Sequence, residues 1–352
     1  MGLRRRSGRW CWGGSKNVMN GLDLWYCICY ICINNTRHAS HRTAHPGEFS
    51  FFIATMQFTK PPLDVHSQIQ LLESRGLIIV DKLSAQKALS NISYYRLSAY
   101  MLPFQITKDP NHQFVANTSI EEILQLYAFD RALRLIVFGA IERVEVALRT
   151  QIIYQYSLAK GGYWYEDPAH YNNNYQYSKN LGKLDDEIDR SNEVFIKHYK
   201  AKYTNPKRPP AWMSLEVSSM GLLSHIFKNL KMSSEKKAIG THFGINPYIL
   251  ESWMQSITFV RNVCAHHGRL WNRVLTLQPT MPKHTQSTWL SNTQFDNTRL
   301  YGFLSAVLYL LKIIDPSSTF SQDFQQLLNQ FPEMNSARLG FPKNWQQEIL
   351  WQ

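Results

Sequence analysis

The residues best suited to chemistry lie in one short segment, FVRNVCAHHGRLWNR, at positions 259–273. On a helix, Asn262 and His266 share a face because they are four residues apart, and Arg261 lies about 100° round the axis from Asn262. An imidazole can transfer a proton near neutral pH, and a guanidinium can bind phosphate oxygens and stabilise growing negative charge. Together they meet the needs of metal-free RNA cleavage, in which a ribose 2′-hydroxyl attacks the adjacent phosphodiester.

The same residues also have a structural interpretation. Arg261 could pair with a nearby carboxylate, and His266 could cap the end of the helix that carries it. Spacing alone favours this structural interpretation.

The helix that must position these residues is predicted at 246–268. Asn246 suits the N-cap, Pro247 suits the first turn, and Gly268 suits the C-terminal end. The longest helical pattern covers residues 118–162, and its length argues against a single unbroken helix.

The remaining pattern is also helical. Residues 163–212 are rich in Tyr, Asn, Asp and Pro, which predicts a partly irregular insertion with one polar helix near 180–200. No segment alternates as a strand would, so we predict an all-α fold. Further helices are predicted at 68–76, 84–104, 216–230, 300–314 and 321–330.

Composition restricts the class of protein. The chain has 352 residues, 44% of them hydrophobic, which suffices for a globular core. Its formal net charge of +12 favours a polyanionic partner such as RNA, DNA or an anionic membrane surface. Glycine-rich phosphate loops, nucleophile elbows and HExxH pairs are absent from the sequence, so the corresponding nucleotide, acyl-transfer and zinc-protease functions have no motif to support them.

The first 55 residues differ from the rest. Their apolar run at 22–33 is too short to cross a bilayer and lacks a small-residue cleavage site. A zinc site is conceivable but lacks the usual paired spacing, and we expect a poorly ordered leader upstream of an internal start at Met56. After this segment only Cys264 occurs, as in proteins of a reducing compartment. The candidate zinc ligands are Cys27, Cys29, Cys32, His38, His41 and His45.

Two resemblances bear on function. The residues RNVCAH match the R-N-x-x-x-H form of the R-x4-6-H motif of HEPN ribonucleases, which include the type VI CRISPR effectors. From Met56 onward the chain also resembles the Abi-like abortive-infection family of bacterial phage-defence proteins. The matching stretches are KPPLDVHSQIQLLESRGLII, NISYYRLSAYMLPF, FDRALRLIVFGAIERVEVALR, SLEVSSMGLLSHIF, RNVCAHHGRLWNR and GFPKNW.

The resemblance implies a fold and an activity. The fold would be a HEPN-like helical bundle at 118–352, with additional N-terminal helices at 56–117 and the insertion at 163–212. The activity would be that of a cytoplasmic, metal-independent endoribonuclease without a cofactor. Its catalytic residues would be Arg261, Asn262 and His266, with the acid or base role of His266 left open.

The resemblance also implies partners. HEPN proteins typically build their site from two copies of the motif, and this chain contains one, so a homodimer is expected. RNA is expected as substrate, and relatives have been connected with small noncoding RNAs encoded nearby. Such an RNA could guide, inhibit or be cut.

Several further residues are candidates for orienting the motif or touching RNA. Tyr94 and Tyr95 could stack on bases, although packing is the more common role of such aromatics. Glu142, Glu145 and Arg149 share a helix face and could support the motif, but a structural ion-pair network is the preferred interpretation. The other candidates are His267, Arg269, Asn272, Arg273 and Arg96.

Two alternatives belong to other classes. A noncatalytic RNA-binding protein could retain the same scaffold, and the intact Arg261 and His266 argue against it. A membrane-associated toxin could use the apolar N-terminal run, whose shortness makes this the weakest alternative.

Overall fold

The computed structural model describes residues 59–352, and within this range the chain is all-α with no strand, as predicted. The predictions about the leader, its apolar run and its zinc candidates concern residues outside the described range. The described helices are α1 Val65–Ser74, α2 Lys82–Ile92, α3 Tyr94–Met101, α4 Ile120–Lys160, α5 Asn174–Arg190, α6 Val194–Lys202, α7 Ala211–Ser214, α8 Met220–Asn229, α9 Ser234–His242, α10 Pro247–Ala265, α11 Leu300–Ile314 and α12 Phe320–Gln330.

The described residues form two compact units. The smaller unit comprises residues 59–94 and 101–120, and the larger comprises residues 95–100 and 121–352. The larger unit contains the whole candidate segment 259–273.

In the smaller unit, α1 and α2 pack against each other, and each begins at an aspartate N-cap. Asp64 accepts the backbone N–H of Ser67 at 2.7 Å. The prediction of one helix over 84–104 is wrong, because α2 ends at Ile92 and Ser93 adopts a left-handed conformation with φ 76°. A residue in that conformation ends the i to i−4 hydrogen-bond ladder.

The predicted break in the longest helix is also wrong, since α4 is continuous for 41 residues. No proline interrupts it, which removes the commonest cause of a helix break. An apolar stripe continues along its full length and fixes it by burial. The fully buried apolar residues of α4 include Ile123, Phe129, Leu133, Val137, Ala140, Ile141, Val144, Leu148 and Ile152.

The insertion has more regular structure than predicted. Instead of one polar helix near 180–200, it contains both α5 and α6. The Trp164 ring packs on Tyr156 of α4 with 4.6 Å between ring centroids, and the Tyr165 hydroxyl donates to the carbonyl of Pro209 at 2.6 Å. Burial of these aromatic residues anchors the insertion to the long helix.

Helix α8 lies between α5 and α10. Its N-cap Ser219 bonds to Glu187 near the end of α5, whereas Asn229 at its other end bonds to Asn173, the N-cap of α5. The α5 and α8 helices are therefore antiparallel, and α8 connects the insertion to the helix that carries the candidate motif.

The closing GFPKNW segment is part of an aromatic core. Phe341 stacks on Phe324 of α12 and contacts Trp345, each with centroids 4.9 Å apart. The resemblance in this segment thus falls on packing residues.

Two further properties of the described helices concern membranes and metals. Over residues 59–352, the helices lack the combination of length and apolar composition needed to span a bilayer. The same range contains no group of three His, Cys, Asp or Glu side chains arranged to hold a metal ion.

Candidate functional site

The C-terminal end of α10 fixes the position of the motif. His266 is the C-cap residue, the N–H of His267 bonds to the carbonyl of Cys264 at 3.0 Å, and that of Gly268 bonds to Val263 at 2.8 Å. These two bonds form a Schellman motif. The residue after the C-cap is left-handed in this motif and is usually a glycine. Here that residue is His267, with φ 57°, and Gly268 follows it. Gly268 allows close approach, since a Cβ there would lie 3.3 Å from both the carbonyl oxygen and a methyl group of Val263, tighter than ordinary van der Waals contact.

Asn262 and His266 are open to a ligand. Both side chains are exposed, and within residues 59–352 neither forms a hydrogen bond or an ion pair. They lie one turn apart on the same side of the helix end. Polar groups held on a rigid helix and left unoccupied suit the binding of an external polar ligand.

Arg261 lies on a different side of α10 and contacts α4. Its Nε is 3.9 Å from a carboxylate oxygen of Glu145, and its guanidinium carbon is 5.8 Å from the centre of the Phe138 ring. The side chain is 39% exposed. At 3.9 Å the carboxylate is a charge partner without being a hydrogen-bond acceptor, so the guanidinium keeps its donors.

Glu145 is shared with a second arginine. The buried Arg149 donates to Glu145 at 2.9 Å and to the carbonyls of Leu215 and Ser218, which precede α8. Arg149 therefore ties α4 to this segment. Glu142 is exposed and takes no part in the ion pairs of the described chain.

Two cavities meet at Arg261. Their volumes are about 820 and about 250 Å³, and both are lined by Glu145, Glu216 and Arg261. Carboxylates predominate around the guanidinium, so one chain alone offers a phosphate group a weak electrostatic site. The larger cavity is also lined by Glu187, Glu193 and Arg190.

The loop after α10 is held by arginines that were predicted to touch RNA. Arg96 donates to the carbonyl of His267 at 2.6 Å, and Arg269 donates to the carbonyl of Ala99 at 2.5 Å. A guanidinium has five N–H donors, so the bond from Arg269 to Ala99 leaves other donors of Arg269 for a ligand.

The rest of the predicted block has similar internal contacts. Arg273 donates to the carbonyl of Arg269 at 2.6 Å. Asn272, in a left-handed conformation with φ 53°, accepts from Arg299 at 2.8 Å through its side-chain oxygen. These residues organise the loop beside the motif.

Asp130 is the main residue that sequence reasoning missed. This fully buried carboxylate accepts the backbone N–H groups of Leu270 at 3.0 Å and of Trp271 at 2.5 Å. It also accepts the hydroxyl of Tyr100 at 2.6 Å and pairs with Arg134. Burial raises the pKa of Asp130, while these donors and the Arg134 charge act against that rise.

A signal for Asp130 was present in the sequence. Asp130 and Arg134 are one turn apart within the apolar stripe of α4, where an unpaired charge would be costly. That spacing indicates a buried ion pair. It does not indicate that the pair holds a loop 140 residues further along the chain.

Cys264 lies inside the motif but is unsuited to nucleophilic chemistry. The residue is buried, and burial raises the pKa of its thiol to about 12. The thiol is protonated at neutral pH, and only the thiolate is a strong nucleophile.

Comparison with known proteins gives one match. A family model described as Abi-like protein matches residues 87–272, just over half of the 352-residue chain. No curated protein and no solved structure matches the chain significantly. The matched segment contains α4, α8 and α10 together with Asp130 and the whole Arg261–His266 motif, and the chain belongs to the Abi-like family, which associates it with abortive infection.

Proposed function

We propose that this protein is a metal-independent endoribonuclease of bacterial phage defence, with a HEPN-type site formed by Arg261, Asn262 and His266. The observation that supports this most directly is the pair of exposed, unpartnered side chains of Asn262 and His266 at a rigid helix end. The R-N-x-x-x-H spacing and family membership agree with it.

The chemistry requires two proton transfers. The ribose 2′-oxygen loses its proton as it bonds to phosphorus, and the departing 5′-oxygen gains a proton as its bond to phosphorus breaks. The products are a 2′,3′-cyclic phosphate and a 5′-hydroxyl. His266 takes part in one of these transfers, and Arg261 stabilises the additional negative charge on the phosphorane oxygens. Asn262 orients the reacting groups through its amide.

A composite site follows from the same chemistry. One chain supplies a single motif histidine, whereas an acid and a base are both needed. In the proposed homodimer, two α10 ends meet near a two-fold axis, and each chain contributes its arginine and histidine.

RNA is the proposed partner as well as the substrate. The net charge of +12 suits a polyanion, and a small noncoding RNA could occupy the protein between infections.

A noncatalytic RNA-binding function is the second candidate. It is favoured by one observation, the acidic surroundings of Arg261, which suit an ion pair better than a phosphate. In that case RNA would bind without being cut.

End-group analysis separates the two functions. Purified full-length protein is incubated with 5′-labelled single-stranded RNA, with and without EDTA, beside the His266→Ala variant. We expect cyclic or 3′-phosphate ends that persist in EDTA, and cleavage reduced about 10²-fold or more in the variant. His198→Ala is the matched control, because His198 is also exposed and lies on α6. Binding without cleavage by the wild type would support the second candidate. Equal cleavage by His266→Ala and the wild type would exclude His266 from the chemistry and contradict the proposed site.

A further inference from the structure

The antiparallel pairing of α5 and α8 has a register fixed at both ends. At one end the side chain of Asn229 donates to the carbonyl of Asn173 at 2.9 Å. At the other end Glu187 accepts both the N–H and the hydroxyl of Ser219 at 2.8 Å. Interpolation between these contacts places the middle of α8 opposite the middle of α5.

This register brings cationic side chains together. Lys179 and Lys183 lie one turn apart on α5, and His225 and Lys228 lie one turn apart on α8. All four are exposed, and none forms an ion pair with another described residue. Partial desolvation lowers the pKa of His225, and the charges of Lys183, Lys228 and Lys179 lower it further, as expected if the three amines surround the imidazole.

Two carboxylates on α5, those of Asp185 and Glu187, are engaged elsewhere. Asp185 on α5 is bidentate with Arg208 at 2.6 and 2.9 Å, and Glu187 caps α8 through Ser219. These contacts leave the charges of the lysines uncompensated by Asp185 and Glu187.

An exposed aromatic ring extends the same face. Tyr175 precedes Lys179 by one turn on α5 and is 77% exposed. Phosphate groups are attracted to amines, and bases stack on aromatic rings without regard to sequence. An exposed tyrosine next to a row of amines is therefore suited to single-stranded nucleic acid.

The cationic face of α5 and α8 lies next to α10, the helix that carries Asn262 and His266. A Cβ at Gly221, one turn before His225 on α8, would lie 3.5 Å from Thr258 of α10. Thr258 in turn lies one turn before Asn262. At the other end of α8, Lys236 packs over the Phe227 ring and pairs with Glu251, which shows that α8 and α10 are antiparallel.

This arrangement sets the distance between His225 on α8 and Asn262 on α10. His225 lies one turn from Gly221 in one direction, and Asn262 lies one turn from Thr258 in the other. The separation along the helices is therefore two turns, or about 11 Å. One RNA strand can span that distance.

We propose that Tyr175, Lys179, Lys183, His225 and Lys228 form a docking strip for single-stranded RNA, which delivers the strand to the helix end with Asn262 and His266. The strip binds the backbone through its amines and one base through Tyr175. This inference takes RNA as the ligand from the proposed function, but it does not require cleavage.

The test measures binding separately from cleavage. A fluorescein-labelled 20-nucleotide single-stranded RNA of mixed sequence is titrated with full-length protein carrying His266→Ala, over a series of salt concentrations. Adding Lys179→Ala, Lys183→Ala and Lys228→Ala should weaken binding at low salt by about tenfold or more. It should also reduce the slope of log K against log salt by about 2, because about 0.7 counterion is released per phosphate contact on a single strand.

The matched control removes the same charge elsewhere. Lys87→Ala, Lys312→Ala and Lys343→Ala replace three other exposed lysines and should leave both the affinity and the salt slope nearly unchanged. Equal losses in the two triple variants would mean that only total charge matters, and would overturn the strip.

Variants of Tyr175 test the stacking contact independently of the lysine charges. Tyr175→Ala should weaken binding about tenfold without changing the salt slope, whereas Tyr175→Phe should bind like the parent, because stacking needs the ring. Unchanged binding in Tyr175→Ala would remove the ring from the strip. Loss of binding to anionic vesicles alone, with RNA binding intact in the lysine variant, would identify a membrane surface and contradict the inference.

The outcomes distinguish this inference from the proposed function. Suppose that the triple lysine variant loses RNA binding and that the wild-type protein cuts no RNA. The docking strip then stands and the ribonuclease proposal fails. If the lysine variant made with His266 intact binds and cuts RNA like the wild type, the ribonuclease proposal stands and the strip fails.

Discussion

The carboxylate of Asp130 accepts the backbone N–H of Trp271 at 2.5 Å, which joins the N-terminal third of the 41-residue helix α4 to the loop that follows the candidate motif. The same carboxylate accepts Leu270 and pairs with the buried Arg134. A loop whose backbone is fixed in this way presents the neighbouring helix end in one orientation.

Replacing Asp130 should therefore destabilise the fold. Asp130→Asn leaves the buried Arg134 without its countercharge and should reduce the free energy of unfolding in urea by about 3–5 kcal/mol. Asp186→Asn, at an exposed position of α5, should change it by less than about 0.5 kcal/mol.

Tyr100→Phe tests the same buried contact if Asp130→Asn does not fold. It removes one hydroxyl donor to Asp130 and should cost about 1 kcal/mol. A neutral effect of both substitutions would contradict the role of Asp130 in holding the loop.

Replacing Arg261 should affect chemistry far more than stability. Arg261 is partly exposed, makes a long contact with Glu145 and lies over the Phe138 ring, so Arg261→Ala should change the unfolding free energy by about 1 kcal/mol or less. If the guanidinium stabilises the phosphorane, cleavage should fall about 10²-fold or more. Arg149→Ala is the contrasting variant, because Arg149 is buried and bonds to two carbonyls, and it should lower the thermal midpoint. Full cleavage by folded Arg261→Ala protein would exclude the proposed role.

The composite site predicts a dimer. Light scattering after gel filtration should give a mass twice the 41.1 kDa of one chain. The rate of cleavage per chain should fall on dilution below the dissociation constant of the dimer. A monomer that retains full specific activity at all concentrations would show that one motif is sufficient.

Glu235 predicts a pH dependence of stability. Hydrogen bonds from Ser233 and Ser234, together with the charge of Lys160, lower the pKa of this buried carboxyl to about 2. In the unfolded chain its pKa is about 4.3. Because the folded state holds the lower pKa, the stabilisation is complete above about pH 5 and is lost as the pH falls toward 2.

The comparison with Glu235→Gln isolates this contribution. Wild type should be more stable than the variant in urea at pH 6, and the difference should shrink steadily between about pH 5 and pH 2. A difference that is constant over this range would mean that the carboxylate charge contributes nothing.

The local sequence pattern determined the fold class and the helix that carries the motif. The cap at Asn246, the proline after it and the apolar spacing predicted α10, because these signals act within one or two turns. The same spacing placed Asn262 and His266 on one face. The all-α class followed from the absence of alternating segments, and the structure confirms it.

The local sequence pattern could not determine features that depend on contacts between distant segments. The length of α4 depends on burial of its stripe along all 41 residues, and the turn between α2 and α3 depends on the left-handed Ser93. The direction of Arg261 toward Glu145 depends on how α4 and α10 pack, as does the contact of Asp130 with a loop 140 residues away. Helical periodicity states which side chains share a face of one helix. Only tertiary packing sets the register between helices, and that register brings Lys179 beside His225.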